Sequence, residues 1–347
     1  MDKLKKFDFG DLYGGIAATL VALPSAIAFG LIIYSPLGSE FASKGVIAGI
    51  LGAVVLGLIA AIFSGTPKLI SAPCAPAAAV LSAFAADMLA KGNTPDTIPG
   101  YILVVAAGAG ILQFLFGLSR GGAFIKFIPY PVIAGYLGGV GCLIILGQIP
   151  KFFGIGSVKS LSAFFTQISS FRWETVLIGT VSILIMVNAQ KITKSFPAPI
   201  MALLTGILTY FMISIFYPEL RSLENNKLVI GTINTSLTDV SRGVISNISS
   251  LRELEFSKIA GLIVPILTMG VLLSADSLKT CVLLDVLTGH RHNSNQELIA
   301  QGLGNISSAI CGGVPGGGTT GPTLVNLYSG GKTQVSSLIS AFSTPIL

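Results

Sequence analysis

The chain has 347 residues, of which 52% are hydrophobic and only 10% are charged, and its mean hydropathy is +0.82. A charged fraction so far below the roughly 25% of soluble domains excludes a soluble enzyme, a disordered segment and a nucleic-acid-binding domain. The net charge of +6 is better explained by lysine and arginine in the cytoplasmic loops of a membrane protein than by an acidic partner.

Apolar segments of the length needed to cross a bilayer, about 20 residues, recur along the whole chain. The predicted spans are residues 12–34, 45–63, 69–88, 101–118, 132–147, 176–188, 199–217, 259–287, 298–311, the short 321–328, and 335–347, in which the chain stops. Residues 218–258 form a polar connection between two of them. The pattern predicts an all-α polytopic membrane protein with about ten spans and the beginning of an eleventh.

Basic residues predict the orientation of these spans. Lys3, Lys5 and Lys6 precede the first span, and the short loops on the same side, with Lys68 and Arg291 among them, carry more lysine and arginine than the short loops opposite. Positive loops stay in the cytoplasm. We therefore predict a multi-pass protein of the cell (inner) membrane with a cytoplasmic N-terminus.

Two segments interrupt otherwise apolar sequence: S-A-P-C-A-P at residues 71–76 and C-G-G-V-P-G-G-G-T-T-G-P-T at residues 311–323. Proline and consecutive glycines disfavour a helix interior, and non-helical backbone inside a membrane needs cover from protein or a wet cavity. A pair of such interruptions indicates a transporter site, because each starts a short helix whose N-terminus attracts anions. The alternative is a pair of surface turns at the membrane border.

Asp276 is an acid within the eighth predicted span, where a charge is costly and therefore suggests a functional site. Thr280 lies four residues on, on the same helix face. Their oxygens, with glycine carbonyls near Gly318, are the ligands that a small hard cation prefers. The competing explanation is a structural ion pair between Asp276 and Lys279.

The chain has two histidines, His290 and His292, on either side of Arg291. Two histidines without further ligands do not make a metal site. We interpret this segment as a cytoplasmic loop that contacts helix ends or phospholipid. The motifs supply no catalytic set, so we expect no enzymatic activity.

The segments that carry a family resemblance are long. Residues 285–305 read D-V-L-T-G-H-R-H-N-S-N-Q-E-L-I-A-Q-G-L-G-N, and G-G-V-P-G follows at 312–316 and V-N at 325–326. Residues 22–30, A-L-P-S-A-I-A-F-G, and the interruption at 71–76 add to them. With these segments the chain resembles the SulP (sulfate permease) family of anion transporters.

The resemblance implies a fold of two inverted seven-helix repeats, here truncated after about ten segments, with two half-helices preceded by short extended stretches. It implies a mobile core and a gate, and the absence of the last gate helices and of a soluble STAS domain. The implied ranges are 1–11 for the cytoplasmic N-terminus, 12–130 for core helices one to four, 131–217 for gate helices five to seven, 218–258 for an extracellular connection, and 259–347 for core helices eight to ten and the start of eleven.

The resemblance also implies site residues. The family's anion contacts fall on Ser25, Phe29, Cys74, Thr319 and Gly321, and its sodium ligands fall on Asp276, Thr280, Gly318 and Thr320. Two positions depart from the pattern, since many members have glutamine at Ser25 and arginine at Pro322. Without that arginine, a coupled cation must supply more of the positive charge, which favours a symporter over an uncoupled exchanger.

The function that follows is secondary active transport of an inorganic anion, as sodium-coupled symport of bicarbonate or sulfate by an elevator-type mechanism. Sodium would be the coupling ion, and no resident cofactor is expected. The alternatives are a proton-coupled sulfate or dicarboxylate symporter, with Asp276 as the proton carrier, and an uncoupled anion channel or exchanger. A homodimer is left open.

Overall fold

The structure is a computed structural model, and it describes residues 8–122, 171–192, 198–221 and 261–344 with scattered residues between 131 and 155. Helices and two short strands make up most of these ranges. The helices are α1 Phe9–Tyr34, α2 Ala42–Phe63, α3 Ala75–Ala90, α4 Ile98–Leu118, α5 Trp173–Ile192, α6 Ala198–Phe216, α7 Ile263–Thr288, α8 Ser294–Ile310, α9 Thr320–Tyr328 and α10 Gln334–Ser343. The strands are β1 Ser71–Pro73 and β2 Gly316–Gly318.

The helices follow the predicted spans closely. Each predicted span except the fifth coincides with one of α1 to α10, within a few residues at the ends. Most of the fifth span, 132–147, and the polar connection beyond Arg221 lie outside the described residues. Among the described helices, four are long and apolar enough to cross a membrane: α1, α2, α4 and α7, the first two with their flanking 3₁₀ turns.

Backbone contacts divide the chain into two compact units, Met1–Val140 with Thr235–Leu347 and Gly141–Asn234. Of the elements that the structure describes, the first unit contains both strands and the helices α1–α4 and α7–α10. Small residues let its helices approach closely. A Cβ at Gly30 of α1 would meet the carbonyl oxygen of Gly45 in α2, and a Cβ at Gly302 of α8 would lie 2.5 Å from the amide nitrogen of Phe114 in α4. This is the packing typical of membrane helices, where close van der Waals contact replaces the hydrophobic effect between helices.

The second unit contains α5 and α6, which pack against each other at Gly206 and Ser182. Their outer faces expose large apolar side chains, such as Val187, 72% exposed, and Phe216, 78% exposed. A surface of this kind suits the hydrocarbon of a bilayer rather than water.

Candidate anion and cation site

The two interrupted segments meet in space. Strand β1 pairs with β2 in antiparallel register, with Ser71 opposite Gly318 and Pro73 opposite Gly316. Ile70 extends the contact, since its carbonyl accepts the amide of Thr319 at 2.8 Å and its own amide donates to the hydroxyl of Thr323 at 3.0 Å. Both strands are buried. The interruptions are therefore an internal feature of the first unit, and the alternative of two surface turns is wrong.

Each strand leads directly into a helix. Cys74 is the N-cap of α3 and Thr319 the N-cap of α9, both with extended backbone and neither with a side-chain cap. The first amides of a helix have no partner within it, so an uncapped N-terminus offers N–H donors and partial positive charge. Proline at the start of both helices, Pro76 and Pro322, suits the first turn, where a missing N–H costs little.

Three of the five predicted anion contacts, Cys74, Thr319 and Gly321, lie at these two helix starts. Phe29 of α1 packs against the apolar cluster that includes Cys74, which is itself 4% exposed. The hydroxyl of Thr319 donates to the carbonyl of Ile70 at 3.0 Å. Gly321, in the first turn of α9, is exposed and has no atom within 4 Å of an added Cβ. The N-terminus of α9 therefore borders open space.

Ser25 lies one turn before Phe29 on α1 and is half-buried. Its hydroxyl donates to the carbonyls of Val21 and Ala22, at 3.0 and 2.8 Å. The side chain is thus bonded to its own helix, and an anion contact would require it to change partner.

Three of the four predicted cation ligands come together beside β2. The hydroxyl of Thr280 in α7 donates to the carbonyl of Gly318 at 2.9 Å and lies 2.9 Å from the hydroxyl oxygen of Thr320. The neighbouring Ser277 accepts the amide of Gly318 at 3.0 Å. These neutral oxygens are hard donors of the type that sodium takes.

Asp276 is the fourth predicted ligand, and its carboxylate is bonded elsewhere. Lys279 places its Nζ 2.6 Å from Asp276 Oδ1, and the Asp276 side chain is 14% exposed. Only the main chain of Asp276 contacts the oxygen cluster, through a 3.2 Å bond from Thr280 to its carbonyl. The ion pair that competed with the cation site in the sequence is therefore formed, beside the converging oxygens.

Residues of α8, to which we assigned no role from the sequence, hold the non-helical backbone in place. The side-chain Nδ2 of Asn305 donates to the carbonyl of Gly316 at 2.9 Å and to Oε1 of Gln113 at 2.7 Å. Its Oδ1 accepts the N–H of Gly316 at 2.8 Å. Gln301 donates to Ser71 in the opposite strand at 2.6 Å. These bonds supply the protein cover that irregular backbone needs in a membrane.

A sequence signal for these residues exists. Glu297, Gln301 and Asn305 are four residues apart, so they share one face of α8. All three are fully buried. Polar residues at helical spacing within an apolar segment predict an internal polar face. The mean hydropathy of the segment does not reveal them, because it averages over all faces of the helix.

The comparison with protein families is decisive. The model of the sulfate permease family matches residues 9–347, which is almost the whole chain. The chain belongs to the sulfate permease family.

Two curated relatives and one solved structure that the chain resembles are bicarbonate transporters by name. Bicarbonate transporter BicA of Picosynechococcus sp. is 36% identical over 342 residues, covering 96% of this chain and 56% of the relative. BicA of Synechocystis sp. is 33% identical, covering 96% and 55%. The transmembrane domain of a cyanobacterial BicA matches with a TM-score of 0.81 at 32% identity, covering 99% of this chain and 83% of that one.

The chain thus spans about half the length of the curated relatives it matches. Its fold, with two half-helices preceded by paired strands, agrees with the inverted-repeat transporter fold that the resemblance implied. The relatives are transporters by name, which agrees with the expectation that the chain is not an enzyme.

Proposed function

We propose that the chain forms the substrate-carrying part of a secondary active transporter, which couples uptake of bicarbonate or sulfate to sodium. The observation that carries this proposal is the pairing of β1 with β2, because it brings two uncapped helix N-termini and an oxygen cluster to one place inside the first unit, where the start of α9 borders open space. The names of the relatives favour bicarbonate, and the name of the family favours sulfate.

The anion would be held by the helix N-termini of α3 and α9. Free amides and the helix dipole attract negative charge without requiring a basic side chain. Thr319 and Gly321 lie at the more open of the two starts and Cys74 at the other, and Phe29 of α1 would complete the site. Such a site suits a small inorganic anion, since its donors are backbone groups close to glycine.

Sodium would be co-transported on the oxygens of Thr280, Gly318 and Thr320, with the carboxylate of Asp276 on the preceding turn. A cation there lowers the free-energy cost of holding an anion nearby, because opposite charges attract strongly where water is scarce. It would replace the hydrogen bonds that now join the two hydroxyls and the carbonyl. In the same proposal, binding of sodium draws Asp276 away from Lys279.

The elevator step is part of the same proposal. Every predicted anion and cation ligand belongs to the first compact unit, and α5 and α6 form the second. A transporter in which one body carries the whole site can move that body against another and expose the site to either side of the membrane. We take the first unit as the moving core and the second as part of the gate, with the N-terminus in the cytoplasm of the inner membrane.

The test is uptake of labelled bicarbonate and of labelled sulfate into proteoliposomes that contain the purified protein. An inward sodium gradient should drive uptake of one of the two anions, and an equal potassium gradient should not. Flux that is non-saturating and independent of sodium would instead indicate a channel and would overturn coupled transport.

The variant Thr280→Val tests the cation site. It removes one oxygen while keeping the shape of the side chain, and we expect the half-saturating sodium concentration to rise at least about tenfold, which corresponds to roughly 1.4 kcal/mol. The matched control is Thr205→Val in α6, whose hydroxyl donates to the carbonyl of Met201 in its own helix. An unchanged sodium dependence in Thr280→Val would exclude sodium at this site.

The Asp276–Lys279 ion pair favours a second candidate, proton-coupled symport. A proton on Asp276 would leave the charge of Lys279 uncompensated, and that charge would attract an anion to the site. Uptake driven by an inward pH gradient in sodium-free buffer, and lost in Asp276→Asn, would support proton coupling over sodium coupling.

A further inference from the structure

A cavity lies at the C-terminal end of α7, and none of the strand residues of β1 or β2 lines it. It has a volume of about 410 Å³ and is formed where residues 64–68, the turn between α7 and α8, and the loop between α9 and α10 meet. A cavity of this size falls in the range of small-molecule sites. The proposed function uses none of the side chains that line it.

The lining of the cavity is basic. Lys68, Arg291, Lys332 and both histidines of the chain contribute to it, and Asp285 is the only acid among its lining residues. The carboxylate of Asp285 is already bonded through both oxygens to His292, to the backbone N–H at 2.8 Å and to Nδ1 at 2.7 Å. Its charge remains, but both of its oxygens face His292, and the three cations Lys68, Arg291 and Lys332 outnumber the one carboxylate in the lining.

Two of the cations have no carboxylate partner among the residues that the structure describes. Lys332 forms an ion pair with Asp8 at 2.6 Å, but no acid lies within 4.0 Å of the charged groups of Lys68 or Arg291 in the described ranges. Unpaired cations facing one cavity repel each other, and an anion between them removes that repulsion.

The backbone at Lys68 supports a positioned side chain. Its φ is +73°, in the left-handed region that residues other than glycine rarely adopt. The amide of Asn326 holds this conformation by donating to the carbonyl of Lys68 at 2.9 Å. Strained backbone conformations that are held by a neighbouring side chain are more frequent at ligand sites than elsewhere.

The cavity is separate from the candidate transport site. Leu284 is the lining residue of α7 nearest to the cation cluster, and Thr280 lies four residues before it, about 6 Å along the helix. None of the predicted anion or cation ligands is among the residues that line the cavity. A ligand held by Lys68 and Arg291 would thus not use the oxygens that we propose for sodium.

We propose that this cavity binds a phosphate-bearing anion, the phosphate group lying between Arg291 and Lys68. The guanidinium of arginine matches the geometry of phosphate oxygens with two parallel N–H donors, and a lysine supplies a further point charge. The phosphate belongs either to the headgroup of an anionic phospholipid or to a soluble nucleotide. Both present the same chemistry to the cavity.

The test compares the two sources on the same purified protein. Native mass spectrometry with dioleoyl phosphatidic acid measures retention of the lipid, and a filter assay with labelled ATP measures the soluble ligand. The variant Lys68→Gln with Arg291→Gln should weaken binding of the favoured probe at least tenfold. The matched control is the double variant Lys44→Gln and Lys91→Gln, which removes the same amount of charge outside the cavity. Lys44 lies about 30 Å along α2 from the lining residue Ser64. This control should bind the probe as tightly as the unmodified protein does.

Binding of phosphatidic acid alone identifies a lipid site, and binding of ATP alone identifies a nucleotide site. The proposal is overturned if the unmodified protein binds neither probe. It is also overturned if the double variant binds the probe as tightly as the unmodified protein does. Arg291→Lys keeps the charge and removes the paired donors, so it should weaken binding by less than the double variant. Thr280→Val should retain full binding, which separates this proposal from a failure of the transport site.

Discussion

At the scale of single residues, the polar face of α8 explains how a membrane protein tolerates six residues of extended backbone. The side chain of Asn305 bonds to both the N–H and the carbonyl of Gly316, and it adds a bond to Gln113. Each of these groups is buried, and a buried polar group without a partner costs about 1–3 kcal/mol. The pairing of the strands therefore depends on a side chain eleven residues before β2 in sequence.

Asn305→Leu should lower the stability of the protein substantially, because it leaves the Gly316 backbone and the Gln113 carbonyl oxygen without their bonds. We expect a loss of about 3 kcal/mol or more from these groups together, measured as a lower midpoint of thermal unfolding in detergent. Asn188→Leu in α5 is the control, since its amide donates to the carbonyl of Leu184 in its own helix. Equal midpoints for both variants would contradict the bracing role of Asn305.

At the scale of elements, the two half-helices are held by strands of only three residues each. A ladder this short is stable because neighbours complete it, with Ile70 and Thr319 extending it at one end. The glycines of β2 make the approach possible. A Cβ at Gly316 would meet the carbonyl oxygen of Ala72, and a Cβ at Gly317 would lie 2.6 Å from Ser277 Oγ.

Gly316→Ala and Gly321→Ala make the same change five residues apart and should have opposite effects on stability. The first forces the paired strands apart, because the obstacle is backbone and cannot move aside, so the unfolding midpoint should fall sharply. The second adds a methyl group to open space at a helix start, where alanine favours helix over glycine by up to about 1 kcal/mol. A stable Gly316→Ala protein with unchanged anion uptake would show that the strand pairing is not required.

At the scale of the whole molecule, the chain forms one discontinuous unit with the candidate site and one smaller unit with α5 and α6. The core and gate ranges implied by the family resemblance remain predictions, as does the elevator step. The membrane class rests on firmer ground, since four described helices can cross a bilayer and the family match covers residues 9–347.

The orientation can be tested by labelling cysteines placed at the two ends of α4. Lys91 precedes this helix and Arg120 follows it, and the helix itself is about 30 Å long. With a cytoplasmic N-terminus, Lys91→Cys should react with a membrane-impermeant maleimide added to intact cells, and Arg120→Cys should react only after the membrane is opened. The unaltered protein is the control for its four native cysteines. The reverse pattern would place the N-terminus outside.

Much of the fold could be predicted from the sequence because the signals are local. Hydropathy marks the helices that cross the membrane, and proline and glycine mark the two places where a helix cannot continue. Asp276, Thr280 and the glycine carbonyls near Gly318 could be named from the residues, and only Thr320 was added to them by the family resemblance. The sequence left open whether Asp276 pairs with Lys279, since spacing alone allows both outcomes.

By itself, then, the sequence determined a multi-span membrane protein with two interrupted segments, because chain composition is enough to decide what enters a bilayer. Only the tertiary structure decided that Ser71 and Gly318 pair across the chain, that Thr280 meets Thr320, and that Asn305 braces both sides of Gly316. It alone gathered Lys68 and Arg291 around one cavity. Contacts between residues so distant in sequence depend on how the helices pack, and packing is a property of the assembled molecule rather than of any one segment.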